Sequence, residues 1–220
     1  ISYAAHDNSE EFYKVNTIGT LNILDALLEI NHIPKKIILA SSATVYGNQP
    51  TNILSEDLIP TPANHYGASK YSMETLSYNY FSKLPILITR PFNYTGIGQE
   101  EHFLIPKIVS HYKQNKKIIE LGNLDVKREF NDVNDVVVIY ESLLKSDITS
   151  DTFNLCSSNA ISLLKVIDLM NEIAGYEIQV KVNPNFVRKD EIKDGKIRDQ
   201  ILKNSPEKND EFFVVPKVIE

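Results

Sequence analysis

Two hydroxyls and an amine in this chain have the types and spacing for proton chemistry. Tyr66 and Lys70, in Tyr66-Gly-Ala-Ser-Lys70, stand four residues apart at the start of a helical pattern. Both side chains therefore lie on one helix face. Ser42 closes the apolar run Ile37-Ile-Leu-Ala-Ser-Ser-Ala-Thr-Val-Tyr-Gly47, which reads as a strand emptying into a loop. A phenol of pKa about 10 is a poor base at neutral pH, and an ammonium one turn away favours its ionised form. Tyr66 can then take or return a hydroxyl proton while Ser42 donates to the same oxygen. That apparatus suits alcohol–ketone interconversion, the chemistry of an oxidoreductase or an epimerase. A second Tyr-x-x-x-Lys, Tyr112 to Lys116, has no serine-ended strand before it and reads as surface or packing.

The elements that must position these residues follow from periodicity. Asp7-Asn-Ser-Glu-Glu11 predicts caps and first-turn acids for a helix running through Leu21, Leu24, Leu27 and Leu28 to His32-Ile-Pro34. Residues 36–41 and Pro85-Ile-Leu-Ile-Thr-Arg90 predict strands apolar on both faces, as in a helix-covered parallel sheet. A long loop with Pro, Asn and Thr spans 48–65, and a helix runs over 66–82. Beyond Arg90 the pattern predicts an irregular stretch, a helix over 102–115, a strand at Ile118–Leu121 and an extended piece over 127–131. Asp132 or Asn134 then caps a helix, and a strand follows at Phe153–Cys156. A last helix is capped by Ser162 and ends at Gly175. Strand–helix alternation predicts an open α/β sheet.

Composition narrows the classes. With 220 residues, 42% hydrophobic and 24% charged, the chain has the make-up of a globular protein. A net charge of −6 argues against a nucleic-acid or anionic-membrane binder. One cysteine, Cys156, excludes an internal disulfide and fits a reducing compartment, so a cytoplasmic location is expected. No apolar run approaches a membrane span. The N-terminal residues lack the charged and apolar regions of a signal peptide and read as the middle of a domain. No metal site is expected.

Taken together, Ser41-Ser-Ala-Thr-Val-Tyr-Gly47, Tyr66-Gly-Ala-Ser-Lys70, Val15-Asn-Thr-Ile-Gly-Thr20, Arg90-Pro-Phe-Asn-Tyr-Thr-Gly96 and Arg128-Glu-Phe-Asn-Asp-Val-Asn-Asp135 resemble the extended short-chain dehydrogenase/reductase family. Its members are NAD-dependent nucleotide-sugar epimerases, dehydratases and reductases. The resemblance implies a doubly wound, Rossmann-like parallel sheet with a smaller, interleaved substrate domain. Residues 1–92 and 132–157 would form the dinucleotide-binding part, and 93–131 and 158–220 the nucleotide-sugar part. It implies Ser42, Tyr66 and Lys70 as catalytic residues. Asn16, Tyr66, Lys70, Pro91 and Phe92 would meet NAD or NADP. Thr44, Asn93, Phe103, Leu104, Arg128, Arg188 and Glu191 would meet the nucleotide sugar. Arg128 and Arg188 resemble a pyrophosphate clamp, and Glu191 the acid on the nucleotide ribose. Asp135 reads as a helix cap. A homodimer through the helices around Gly19–Leu28 and Tyr66–Ser82 is implied too.

Three departures shape the expectation. None of the eight glycines forms the phosphate-binding Gly-x-x-Gly-x-x-Gly loop with which the family begins. By resemblance, the opening portion of such a protein is absent from this sequence, which alone would not hold NAD in the usual way. Ala43-Thr44 stand where 4,6-dehydratases carry acids, which disfavours water elimination. The stretch after Glu191 is shorter than the family's. The expected activity of the intact protein is reduction of a 4-keto-6-deoxy sugar of GDP type. A UDP-sugar 4-epimerase is the alternative, and a cofactor-less fragment or sugar-nucleotide-binding remnant is the alternative of another class.

Overall fold

The first helical stretch is one rod with a wide middle turn. The structure, a computed structural model, describes residues 8–183. In it α1 (Ser9–Phe12) passes through a π-type turn (Tyr13–Ile18) into α2 (Gly19–Glu29). Such turns re-aim side chains at functional sites, and this one turns Asn16 into the interior. Asn8 occupies the cap position, but its side chain makes no capping bond, unlike the expectation from sequence. Asn31, at φ 53°, ends the rod in the left-handed conformation that asparagine tolerates. Then come β1 (Ile37–Ala40), a tight turn (Ala43–Tyr46), α3 (His65–Ser77) with a short 3-10 turn after it, and β2 (Ile86–Pro91). β3 (Tyr94–Thr95), α4 (Leu104–Lys113), β4 (Ile118–Leu121), β5 (Lys127–Arg128) and β6 (Asn131–Asp132) lead to α5 (Val133–Lys145). β7 (Asp151–Leu155), β8 (Ile161–Ser162), α6 (Leu163–Ala174) and β9 (Gln179–Val182) complete the described chain.

Three parallel strands in the order β1-β2-β7 form the main sheet. Ile37 pairs with Ile86, and Leu87 with Asp151. β2 is central, and Ile86, Leu87 and Ile88 are sealed from solvent. Each contributes about 1.5–3 kcal/mol relative to an exposed side chain. β1 differs from its expected full burial: among the described residues it is a sheet edge, and its side chains are part-buried or exposed. Leu24 of α2 packs with Leu84, Ile86 and Ile88, with Leu76 of α3 against them. A second, separate core joins Ile108, Tyr112, Ile119, Leu121, Leu163, Val166, Ile167 and Ile178. It is framed by β4 beside β9 and by β5 antiparallel to β8. Tyr112 of the second Tyr-x-x-x-Lys is therefore a core residue, its hydroxyl donating to Asn171 Oδ1 at 2.7 Å.

The helix ends follow their chemistry. Asp132 Oδ1 accepts from Asn134 N–H at 2.8 Å, so Asp132 caps α5 and Asp135 lies in its first turn. Ser162 caps α6, which ends at Gly175 with φ 72°. Gly98 turns the loop after β3 at φ 89°.

Candidate active site

Ser42 leaves the sheet in extended conformation and caps the Ala43–Tyr46 turn. Its Oγ accepts from Thr44 N–H at 3.2 Å and from Thr44 Oγ1 at 2.9 Å. The Ser42 hydroxyl also faces the Tyr66 phenol, and its proximity opposes the rise that burial gives the phenol's pKa. Thr44 itself is exposed beside them.

Tyr66 sits in the first turn of α3, where Asn64 Oδ1 accepts from Gly67 N–H at 2.8 Å. Gly67 allows that turn to press against the Ser42 loop. A Cβ there would stand 2.7 Å from the Thr44 carbonyl oxygen and 3.1 Å from Pro62 Cβ. Behind Tyr66, Asn16 Nδ2 donates to Ser69 Oγ at 3.0 Å, and Ser69 Oγ donates to the Tyr66 carbonyl at 2.8 Å. Thr17 Oγ1 donates to the Ser69 carbonyl at 3.0 Å. The wide helical turn thus braces α3. Phe12 meets the Tyr66 ring edge-on, centroids 5.8 Å apart.

Lys70, one turn on, donates from Nζ to the Ala40 carbonyl at 2.8 Å, and its Nζ lies 5.9 Å from the Tyr66 ring centroid. Burial holds the Lys70 pKa below the ordinary lysine value. Burial also raises the Tyr66 phenol, which the Ser42 hydrogen bond partly opposes and the neighbouring Tyr94 and Tyr140 reinforce. This corrects the expectation that Lys70 renders the phenol acidic. Desolvation outweighs the contribution of Ser42, so the phenol keeps its proton at neutral pH.

The remaining predicted residues are spread more widely. Pro91 ends β2 opposite Leu155, and the Phe92 N–H donates to the Leu155 carbonyl at 3.0 Å. The Asn93 side chain is exposed, while its carbonyl accepts from Asn131 N–H at 2.9 Å and Asn131 Nδ2 at 3.0 Å. Phe103 is exposed at the start of α4 with its ring on His102, and Leu104 packs on the second core. Arg128 is exposed on β5 opposite Ile161. Arg188 and Glu191 lie outside the described residues. The structure therefore brings Asn16, Ser42, Thr44, Tyr66 and Lys70 together into one neighbourhood where the end of β1 meets the first turns of α3. No described hydrogen bond ties Phe103, Leu104 or Arg128 to it. Pattern reading passed over the buried pair Arg90 and Glu74 at its base, for which the available signal was a cation closing an apolar strand. Among the described residues no group of His, Cys, Asp or Glu could hold a metal ion. None of their helices is long and apolar enough to cross a membrane.

A parallel α/β sheet that delivers a Ser–Tyr–Lys set from the end of one strand and the next helix defines a Rossmann-type dehydrogenase/reductase class, the extended short-chain dehydrogenase/reductases. Within it the family model described as GDP-mannose 4,6 dehydratase matches residues 3–216, and the chain belongs to that family. It is 40% identical over 192 residues to the GDP-6-deoxy-D-talose 4-dehydrogenase of Aggregatibacter actinomycetemcomitans, covering 87% of this chain and 65% of that protein. It is 33% identical over 187 residues to the GDP-6-deoxy-D-mannose reductase of Pseudomonas aeruginosa, covering 81% of this chain and 61% of that protein. The solved structure of RMD from Pseudomonas aeruginosa complexed with NADPH superposes with a TM-score of 0.76 at 30% identity, over 83% of this chain and 65% of that one. The chain thus spans less than two thirds of the length of these relatives.

Proposed function

We propose that this chain is the catalytic part of an NAD(P)-dependent reductase that converts the 4-keto group of a GDP-activated 6-deoxy sugar to an alcohol. The observation that carries this reading is the approach of Ser42 to Tyr66 where β1 ends against α3, with Lys70 one turn behind. The names of two relatives, a GDP-6-deoxy-sugar 4-dehydrogenase and a GDP-6-deoxy-sugar reductase, support it over a UDP-sugar 4-epimerase.

The donor set suits a nicotinamide nucleotide at its ribose end. Two hydroxyls and an ammonium converge where a diol and a carbonyl oxygen need donors, and Asn16 braces the helix that carries them. The 220 residues contain no glycine-rich loop for the dinucleotide's phosphates. When bound, the reduced nicotinamide supplies the hydride. Ser42 hydrogen-bonds the ketone oxygen and polarises it. Tyr66, held protonated by burial, gives that oxygen its proton as the C–O double bond becomes a single bond. Lys70 would hold the ribose and compensate the phenolate left behind. Pro91 and Phe92 would wall the nicotinamide pocket. Thr44, Asn93, Phe103, Leu104, Arg128, Arg188 and Glu191 would serve the nucleotide sugar.

We assign residues 1–92 and 132–157 to the cofactor domain, and 93–131 and 158–220 to the substrate domain. The two separate cores support that division. A homodimer through α2 and α3 is supported by Ile18 and Ile23, exposed along the first rod. A cytoplasmic location is supported by the single, unpaired Cys156.

The test is nicotinamide titration of the purified protein, after its intact mass is measured, followed by turnover of a GDP-4-keto-6-deoxy sugar against UDP-galactose. Saturable binding and consumption of reduced cofactor with the GDP sugar alone supports the reading. Turnover of UDP-galactose instead would replace it with the epimerase. No nicotinamide binding would leave a sugar-nucleotide-binding remnant.

A further inference from the structure

Beneath the Ser42–Tyr66 gap lies a buried polar network that touches neither residue. Arg90 ends the fully buried part of β2 and is 3% exposed, and Glu74 and Tyr46 are 0% exposed. Arg90 Nε donates to Glu74 Oε1 at 3.0 Å and to Oε2 at 3.3 Å, and Nη2 donates to Oε2 at 2.7 Å. The other arm, Nη1, donates to the Tyr46 hydroxyl at 2.9 Å and to the Glu56 carbonyl at 3.3 Å. The guanidinium also lies over the Tyr46 ring, 4.9 Å from its centroid. Tyr46 passes the chain on, donating to Asn154 Oδ1 at 2.8 Å. Asn154 Nδ2 donates to the Leu54 carbonyl, and the Asn154 N–H to Glu56 Oε1.

The two arms end on the two sides of the catalytic gap. Glu74 is on α3, one turn beyond Lys70 and two beyond Tyr66. Tyr46 closes the turn that Ser42 caps. A buried ion pair is a poor source of stability compared with apolar side chains of the same volume. What it supplies is direction, because the guanidinium is a rigid planar fork whose donors fix the partners' angles. We propose that Arg90 is a positioning residue for the reaction: by holding Glu74 with one edge and Tyr46 with the other, it sets α3 against the Ser42 turn and so fixes the Ser42–Tyr66 distance. This rests on the assignment of Ser42 and Tyr66 as the proton-transfer pair, and it adds a residue that touches neither substrate nor cofactor.

The test compares Arg90→Lys, which keeps the charge and loses the fork, with Tyr46→Phe, which keeps the ring and severs one arm. A misplacement of the catalytic groups by about 1 Å costs on the order of 100-fold in rate. Arg90→Lys is expected to lower kcat about that much, with KM for the nucleotide sugar unchanged; Tyr46→Phe is expected to lower kcat less, again at constant KM. The second readout needs no turnover. The ultraviolet ionisation of Tyr66, taken as the difference between each background and the same background carrying Tyr66→Phe, moves to higher pH when Ser42 recedes from it. A purely structural role would lower the thermal midpoint and leave that titration in place. Tyr46→Phe removes a single oxygen, so it decides the question if Arg90→Lys does not fold. Wild-type kcat and a wild-type Tyr66 titration in the folded variants overturn the proposal. Absence of turnover in the wild type overturns the proposed function instead, and the titration still decides the positioning role.

Discussion

The Ser42 hydroxyl, just beyond the end of β1, faces the Tyr66 phenol in the first turn of α3 and opposes the rise that burial gives its pKa. Thr44 N–H and Oγ1 both donate to Ser42 Oγ, which holds the serine in place and leaves its own proton to be donated. In the proposed reaction Tyr66 is the donor to substrate and Ser42 the donor that orients it. Tyr66→Phe is expected to lower turnover by about 10²–10⁴-fold, the usual yield of a placed acid. Ser42→Ala is expected to cost on the order of 10²-fold, as for loss of one donor to a developing oxyanion. Steady-state rates of cofactor consumption check both. Wild-type turnover in Tyr66→Phe would remove the tyrosine from the chemistry.

Periodicity and local spacing revealed the central strand β2, the helix carrying Tyr66 and Lys70, and the caps at Asp132 and Ser162. In each case the physics lies within a few residues of sequence. Tertiary approach was hidden. Nothing near Gly67 in sequence announces Thr44, and nothing near Glu74 announces Arg90. The wide turn that aims Asn16 inward is invisible to a pattern that assumes regular helix. β1 carries the apolar residues of a buried strand yet forms a sheet edge among the described residues, because pairing partners, not composition, decide burial. The direction of the Tyr66 shift was missed for a related reason: spacing shows that Lys70 is near, but not how far burial outweighs it.

Gly67 tests the close approach directly. Replacing a helical glycine by alanine favours the helix by up to about 1 kcal/mol. Here the added methyl would sit 2.7 Å from the Thr44 carbonyl oxygen, a backbone atom with little freedom to yield. Overpacking of this kind costs about 1–3 kcal/mol, so the clash wins. Gly67→Ala is expected to lower the urea midpoint and to reduce kcat more than it changes KM, since it pries the Ser42 turn from Tyr66. An unchanged or higher midpoint would show that the loop gives way freely.

The Glu74–Arg90 pair makes a stability prediction as well. Glu74 and the Tyr46 hydroxyl hold the guanidinium charged against the opposing effect of burial, and its pKa lies above the ordinary arginine value. Glu74→Ala strands that charge in the interior, with an expected loss of about 3–5 kcal/mol. Removing both charges, as Glu74→Leu with Arg90→Met, is expected to recover most of the loss while leaving activity impaired. Urea unfolding of the single and double variants measures the difference. A double variant as unstable as Glu74→Ala would show that packing, not the uncompensated charge, carries the cost.

Alkaline pH probes the same interior through its phenols. Burial is the leading cause that raises Tyr46, Tyr66, Tyr112 and Tyr140 above the ordinary value of 10.0. Above pH 10 the unfolded chain therefore releases these protons first, and the native state binds more of them. Stability from this source is fully present below pH 10 and is lost as pH rises through the raised values. Lys70 acts in the opposite sense, since its lowered pKa relieves a burial cost as pH climbs toward 10.5. One lysine cannot cancel four phenols, so the net slope is downward. Each phenol contributes at most about 1.4 kcal/mol per pH unit. Urea midpoints measured between about pH 8 and pH 11 are expected to fall steeply past pH 10. Tyr66→Phe is expected to make that fall shallower by one proton's share, and a flat profile to pH 11 would mean that these phenols ionise in the folded state as readily as in the unfolded chain.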